Sequence, residues 1–195
     1  MPHMMPDPLV ERLEEFLQHG VPAVDRFAPQ WSSSNQGDVS IPVAVWRNED
    51  VAAVLYLEQS RGYEELDARV DTFAQNSDRG WILEQSTGGS WIGGGWGELV
   101  ASDTIRLMGL GASIHSLPTD TEYFLVGGRV GSDDLLVGYR GERCQGVVRA
   151  SSDYGVFLFG LERHQRIEVG SVGTTPDSTE RLLESMRVKY VLDVP

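Results

Sequence analysis

From Thr104 onward the chain keeps returning to short apolar runs. They read TIRLMGL, TEYFLVG, DLLVGYR, CQGVVRA, YGVFLFGLE and QRIEVGS, and clusters of Gly, Ser, Asp and Pro separate them. The repeat is roughly ten residues, too short for a helix plus its turns and right for consecutive antiparallel strands. Twenty-two glycines without a sequence repeat fit the same picture, because tight turns need them. In YGVFLFGLE, Val156, Leu158 and Leu161 share the run with Phe157 and Phe159, so both parities are apolar. Such a strand is central and covered on both faces, or is buried at an edge against a helix.

Two hairpins are expected upstream. Ile41–Arg47 and Val51–Glu58 flank the turn Asn48-Glu49-Asp50, and Ala68–Ala74 and Trp81–Gln85 flank a turn over Asn76–Gly80. Residues 7–19 form the clearest helix. Asp7 is placed to cap it, Pro8 suits its first turn, and Leu9, Val10, Leu13, Phe16 and Leu17 share one face. Gly20 and Pro22 stop it. A short helix over 178–187, capped by Asp177 or Ser178, precedes a last strand over Val188–Leu192. No linker or repeat divides the 195 residues. The expectation is a single all-β domain over 1–195, a two-sheet sandwich of about nine to eleven short strands with a helix at each end.

Charge narrows the choice of partners. Sixteen basic against 29 acidic residues give −13, and the densest basic group, Arg140, Arg143 and Arg149, is interrupted by Glu142. Nucleic acid and anionic membranes repel such a surface, so neither is an expected partner. The only cysteine, Cys144, precludes an internal disulfide. The N-terminus lacks the basic and apolar regions of a leader, and no run is long enough to span a bilayer. A soluble, cytoplasmic protein is expected.

The stretch GGSWIGGGWG, residues 88–97, is the strongest candidate for ligand binding. It has no lysine for a phosphate loop, and Glu98 stands where a dinucleotide fingerprint needs its third glycine. If Ile92 to Gly95 form a loop, Trp91 and Trp96 become cross-strand neighbours. Backbone exposed at Gly93, Gly94 and Gly95 would then lie beside two rings, a platform for a flat ligand or a sugar. The alternative is a lid that closes the core.

Three patterns, Asp78-Arg79-Gly80-Trp81, Gly88-Gly89-Ser90-Trp91 and Gly127-Gly128-Arg129-Val130-Gly131, resemble those of uncharacterised actinobacterial β-rich proteins. The resemblance covers the middle half of the chain. It implies a β-rich fold and transfers no activity.

Catalytic chemistry finds little footing. Gly111-Ala112-Ser113-Ile114-His115 misses the nucleophile elbow, because histidine replaces the final small residue. Ser113 and His115 still share a face if the segment is a strand, which makes them the best catalytic pair on offer. Cys144 sits beside Arg143, which would favour a thiolate, but a thiol facing the core is the preferred reading. The four histidines form no metal-binding spacing, and Ser132-Asp133-Asp134 lacks the ligand pattern of a calcium loop. No metal and no cofactor is implied. A non-enzymatic binding or protein-interaction module leads. A self-assembling protein joined through the 7–19 helix and a hydrolase-like enzyme with a dispersed site are the alternatives.

Overall fold

The computed structural model describes residues 7–22, 39–59, 67–76, 78, 80–89, 104–108, 110, 112–131, 136–150, 155–173 and 178–194. The fold is mostly β: three antiparallel four-stranded sheets, none closed, with an N-terminal helix and a short C-terminal one. The N-terminal sheet is formed by β1 (Val39–Asn48), β2 (Val51–Gln59), β3 (Asp67–Gln75) and β4 (Trp81–Gly89), in that order. The middle sheet contains β5 (Ile105–Met108), β6 (Ser113–Ser116), β7 (Thr121–Val130) and β10 (Val156–Glu162). In it β7 lies between β10 on one side and β5 and β6 on the other. The C-terminal sheet has the order β12 (Arg187–Val194), β11 (Gln165–Val172), β8 (Leu136–Gly141), β9 (Gln145–Arg149).

The two-sheet expectation is therefore corrected to three sheets and twelve strands among the described residues. The physical reason lies in the doubly apolar runs. Val156 and Leu158 of β10, with Tyr123 and Leu125 of β7, pack on Val51, Ala53, Leu55 and Val70 of the N-terminal sheet. Phe157, Phe159 and Leu161, with Val126, pack on Val137, Ile167 and Val169 of the C-terminal sheet. The middle sheet is thus covered on both faces, and it closes two cores rather than one. Strand β10 is doubly covered, as its sequence implies, yet it lies at the edge of its ladder. Strand β1 runs beside that edge, and the Trp46 ring lies over Gly160. A Cβ at Gly160 would stand 2.4 Å from Trp46 Cη2, so only glycine admits the ring.

Helix α1 (Pro8–His19) forms as the sequence predicts, with Asp7 Oδ1 accepting from the Leu9 N–H at 2.9 Å. Its Leu13 and Phe16 are buried on Ala52, Val54, Tyr56 and Phe73, the outer face of the N-terminal sheet. Burying each large apolar side chain there contributes about 1.5–3 kcal/mol. The apolar stripe that suggested contact between copies is thus spent within the chain. Helix α2 (Thr179–Glu184) is capped by Ser178 and places Leu183 against β8 at Gly138, outside the C-terminal sheet. It is shorter than the expected 178–187, because β12 begins at Arg187.

Three outer strands carry a bulge, and in β1 it falls at Val43. In β4 the register slips so that Glu84 has no partner on β3. In β12 it slips at Lys189, the chain's only lysine.

Candidate functional site

Three turns converge at one end of the stacked sheets. The β1–β2 connection is Glu49-Asp50, a two-residue turn, since Asn48 already pairs with Val51. The β6–β7 connection is Leu117-Pro118-Thr119-Asp120, and the β10–β11 connection is Arg163-His164. Each turn holds one non-glycine residue in the left-handed region: Glu49 at φ 33°, Asp120 at φ 52° and His164 at φ 60°. That backbone carries a cost outside glycine, and it persists where surrounding bonds enforce it.

The enforcing bonds run between sheets. Ser116, 0% exposed, donates from Oγ to Asp50 Oδ2 at 2.6 Å. Its single proton is thereby used, so the Thr119 hydroxyl donates to Ser116 Oγ at 2.6 Å, joined by the Thr119 N–H at 3.3 Å. Asn48 Nδ2 donates to the Tyr123 hydroxyl at 2.8 Å. Burial raises the Tyr123 pKa, helped by the Glu162, Asp50 and Glu49 carboxylates and opposed by the Asn48 bond, so the phenol stays protonated. The Arg163 N–H donates to the Glu122 carbonyl at 3.1 Å, and its Nη1 lies 2.8 Å from Glu122 Oε2. Arg163 Nε is the one buried polar atom here without a hydrogen bond.

What this end presents is acidic with one apolar point. Glu49, Pro118, Asp120 and His164 are exposed, and Leu117 is 66% exposed at the tip of its turn. Asp50, Glu122 and Glu162 lie just beneath.

The expected catalytic pair is brought together in part. Ser113 and His115 do share a face of β6, opposite the buried Ile114 and Ser116. His115 Nε2 lies 3.1 Å from Asp120 Oδ1, however, and no hydrogen bond joins it to Ser113. Among the described residues Ser113 has no hydrogen-bonded base. Burial raises the pKa of the nearby Glu84 carboxylate, and His115 opposes that shift. Cys144 faces the second core, and burial raises its thiol pKa, only partly offset by the Gln165 Nε2–H that Sγ accepts at 3.4 Å, the opposite of an activated thiolate. Arg140 is engaged by Glu168 at 2.6 Å. Among the described residues no three His, Cys, Asp or Glu side chains stand close enough to share a metal ion. Trp91, Trp96, Gly93, Gly94 and Gly95 lie outside the described residues, as do Ser132, Asp133 and Asp134.

The polar staple itself was missed by sequence reasoning. Asn48, Asp50 and the Leu117-Pro118 loop all read as turn residues, but the partners lie 66 and 75 positions apart. The chain is defined by this architecture as a three-sheet antiparallel β protein. No family model, curated protein or solved structure matches it. No helix among the described residues is long and apolar enough to cross a membrane.

Proposed function

We propose that the protein is a non-enzymatic interaction module of layered, sandwich type, which uses the stapled turns to grip a basic protein surface. The observation that carries the reading is Leu117, exposed at the tip of a turn that the Asp50–Ser116–Thr119 bonds hold rigid. A pre-ordered apolar tip loses little conformational entropy on docking. The carboxylates around it add to the field of a chain at −13, which attracts cationic partners and repels nucleic acid. The reading places the module in the cytoplasm, in keeping with its lone cysteine. The tract with Trp91 and Trp96 stands as a second recognition element, to be judged by acrylamide quenching of Trp91→Phe and Trp96→Phe variants.

The test is capture of partners by wild type, Leu117→Asp, and a Glu49→Lys/Asp120→Lys double variant. All three sites are exposed, so thermal stability should not change. One species bound by wild type should be lost from both variants and weakened by salt. Equal capture by all three forms overturns the reading.

A further inference from the structure

The outer strands of the N- and C-terminal sheets are not alike. β1, β4 and β12 each carry a register slip, and β1 also runs beside β10. β9 pairs with β8 from Gln145 to Arg149 without a slip. Its sequence, QGVVR, holds no proline, no lysine and no carboxylate. The Gly141 N–H donates to the Cys144 carbonyl at 2.8 Å, which fixes the phase of the ladder. Hydrogen-bonded pairs alternate along an antiparallel ladder, so Gly146 and Val148 turn their backbone groups towards β8. Gln145, Val147 and Arg149 turn theirs away. Among the described residues nothing bonds these outward N–H and C=O groups. Gln145 and Arg149 are exposed and none of the residues between them is fully buried, so β9 meets solvent along its whole length.

The two faces beside this edge differ in chemistry. Cys144 and Val148 face the second core, so the inward side is apolar. Side chains alternate along a strand, so Gln145, Val147 and Arg149 stand on the outward side. Arg143, in the β8–β9 turn, is exposed as well. Arg140 is engaged by Glu168, but among the described residues no carboxylate pairs with Arg143 or Arg149. A chain of net charge −13 thus keeps two arginines without ion pairs at its one regular outer strand in these sheets.

We propose that β9 is a docking edge for an extended acidic segment of a partner protein, which joins the four-stranded C-terminal sheet as a further strand. Main-chain bonds to Gln145, Val147 and Arg149 supply affinity, and side chains supply selection. The segment alternates in character. Its inward residues lie beside Gly146 and Val148 and are apolar. Its outward residues lie beside Arg149 and are carboxylates, because opposite charges across a ladder are favourable and like charges are not. The same rule makes a second copy the poorer occupant. A ribbon of two β9 strands gathers the arginines of both copies, and two chains at −13 repel as they approach.

The experiment adds two blocked nonapeptides separately to the isotope-labelled full chain, one alternating valine with glutamate and one alternating valine with lysine. NMR follows the backbone amides of Val147 and Arg149. The glutamate peptide should shift both saturably and slow their exchange with water, and the lysine peptide should not. Val147→Pro deletes an outward N–H that no described residue uses, and proline is tolerated at such edge positions. It should weaken binding about tenfold or more. Arg149→Glu, at an exposed position without an ion pair among the described residues, should fold as wild type and prefer the lysine peptide. Amides unmoved by the glutamate peptide, equal binding of the two peptides, or an unchanged preference in Arg149→Glu overturns the proposal. Shifts at Val147 that follow protein concentration alone also overturn it, and assign the edge to a second copy.

Discussion

The stapled turns and the Tyr56–Arg69–Asp71 face of the N-terminal sheet bury the same chemistry, a carboxylate with hydroxyls and a phenol beside it, and treat it in opposite ways. At the turns Asp50 Oδ2 has its donor, Ser116 Oγ has three partners, and the Tyr123 hydroxyl accepts from Asn48. On the sheet face Asp71 Oδ2 and the Tyr56 hydroxyl have none. A satisfied network fixes geometry, and here it joins two sheets. An unsatisfied one costs stability instead of adding to it. Substitutions that delete one oxygen at each place separate these roles.

The largest effect is expected at the turns. Ser116→Ala leaves the Asp50 carboxylate and the Thr119 N–H without their partner, and should cost about 3 kcal/mol in denaturant unfolding. A loss below about 0.5 kcal/mol would mean that solvent replaces the staple. Next comes alkaline pH on the sheet face. The Tyr56 pKa is pushed up to about 12, chiefly by burial and then by Asp71, while Arg69 and Arg12 oppose and Glu58 adds slightly. The folded chain keeps this proton while the unfolded chain loses it near 10, so stability falls as pH rises from 10 to 12. The loss should be on the order of 2–3 kcal/mol and should be missing in Tyr56→Phe.

The smallest effects sharpen the contrast most, because the chemistry removed is identical. Tyr123→Phe should cost about 1 kcal/mol, since Asn48 loses its acceptor. Tyr56→Phe at neutral pH should cost nothing or stabilise slightly, because the deleted hydroxyl had no partner. Equal costs at the two positions would erase the distinction between the regions.

How far the sequence foretells these regions depends on the range of the interactions. Helix α1, the hairpin strands and the covered run of β10 follow from periodicity and turn residues, which are local. The third sheet does not follow, because alternation tells how many faces of a strand are buried and not what buries them. Strand β6 reads SIHS, too polar and too short to signal a strand, and it forms because β7 supplies its ladder. Both polar clusters fail for a related reason. Ser116 and Asp50, or Tyr56 and Asp71, look like ordinary turn and strand residues until the register sets them side by side.

The bulges at Glu84 and Lys189 bear on how the chain behaves in a crowded solution. Open sheets end in strands with free backbone groups, and such edges recruit further strands into fibrils. Here an outer strand of the N-terminal sheet and one of the C-terminal sheet are each kinked by an extra residue, and that residue is charged. An incoming chain would have to straighten the kink and strip water from the charge before it could dock. The sole lysine in the sequence thus guards one of the outer strands against such docking.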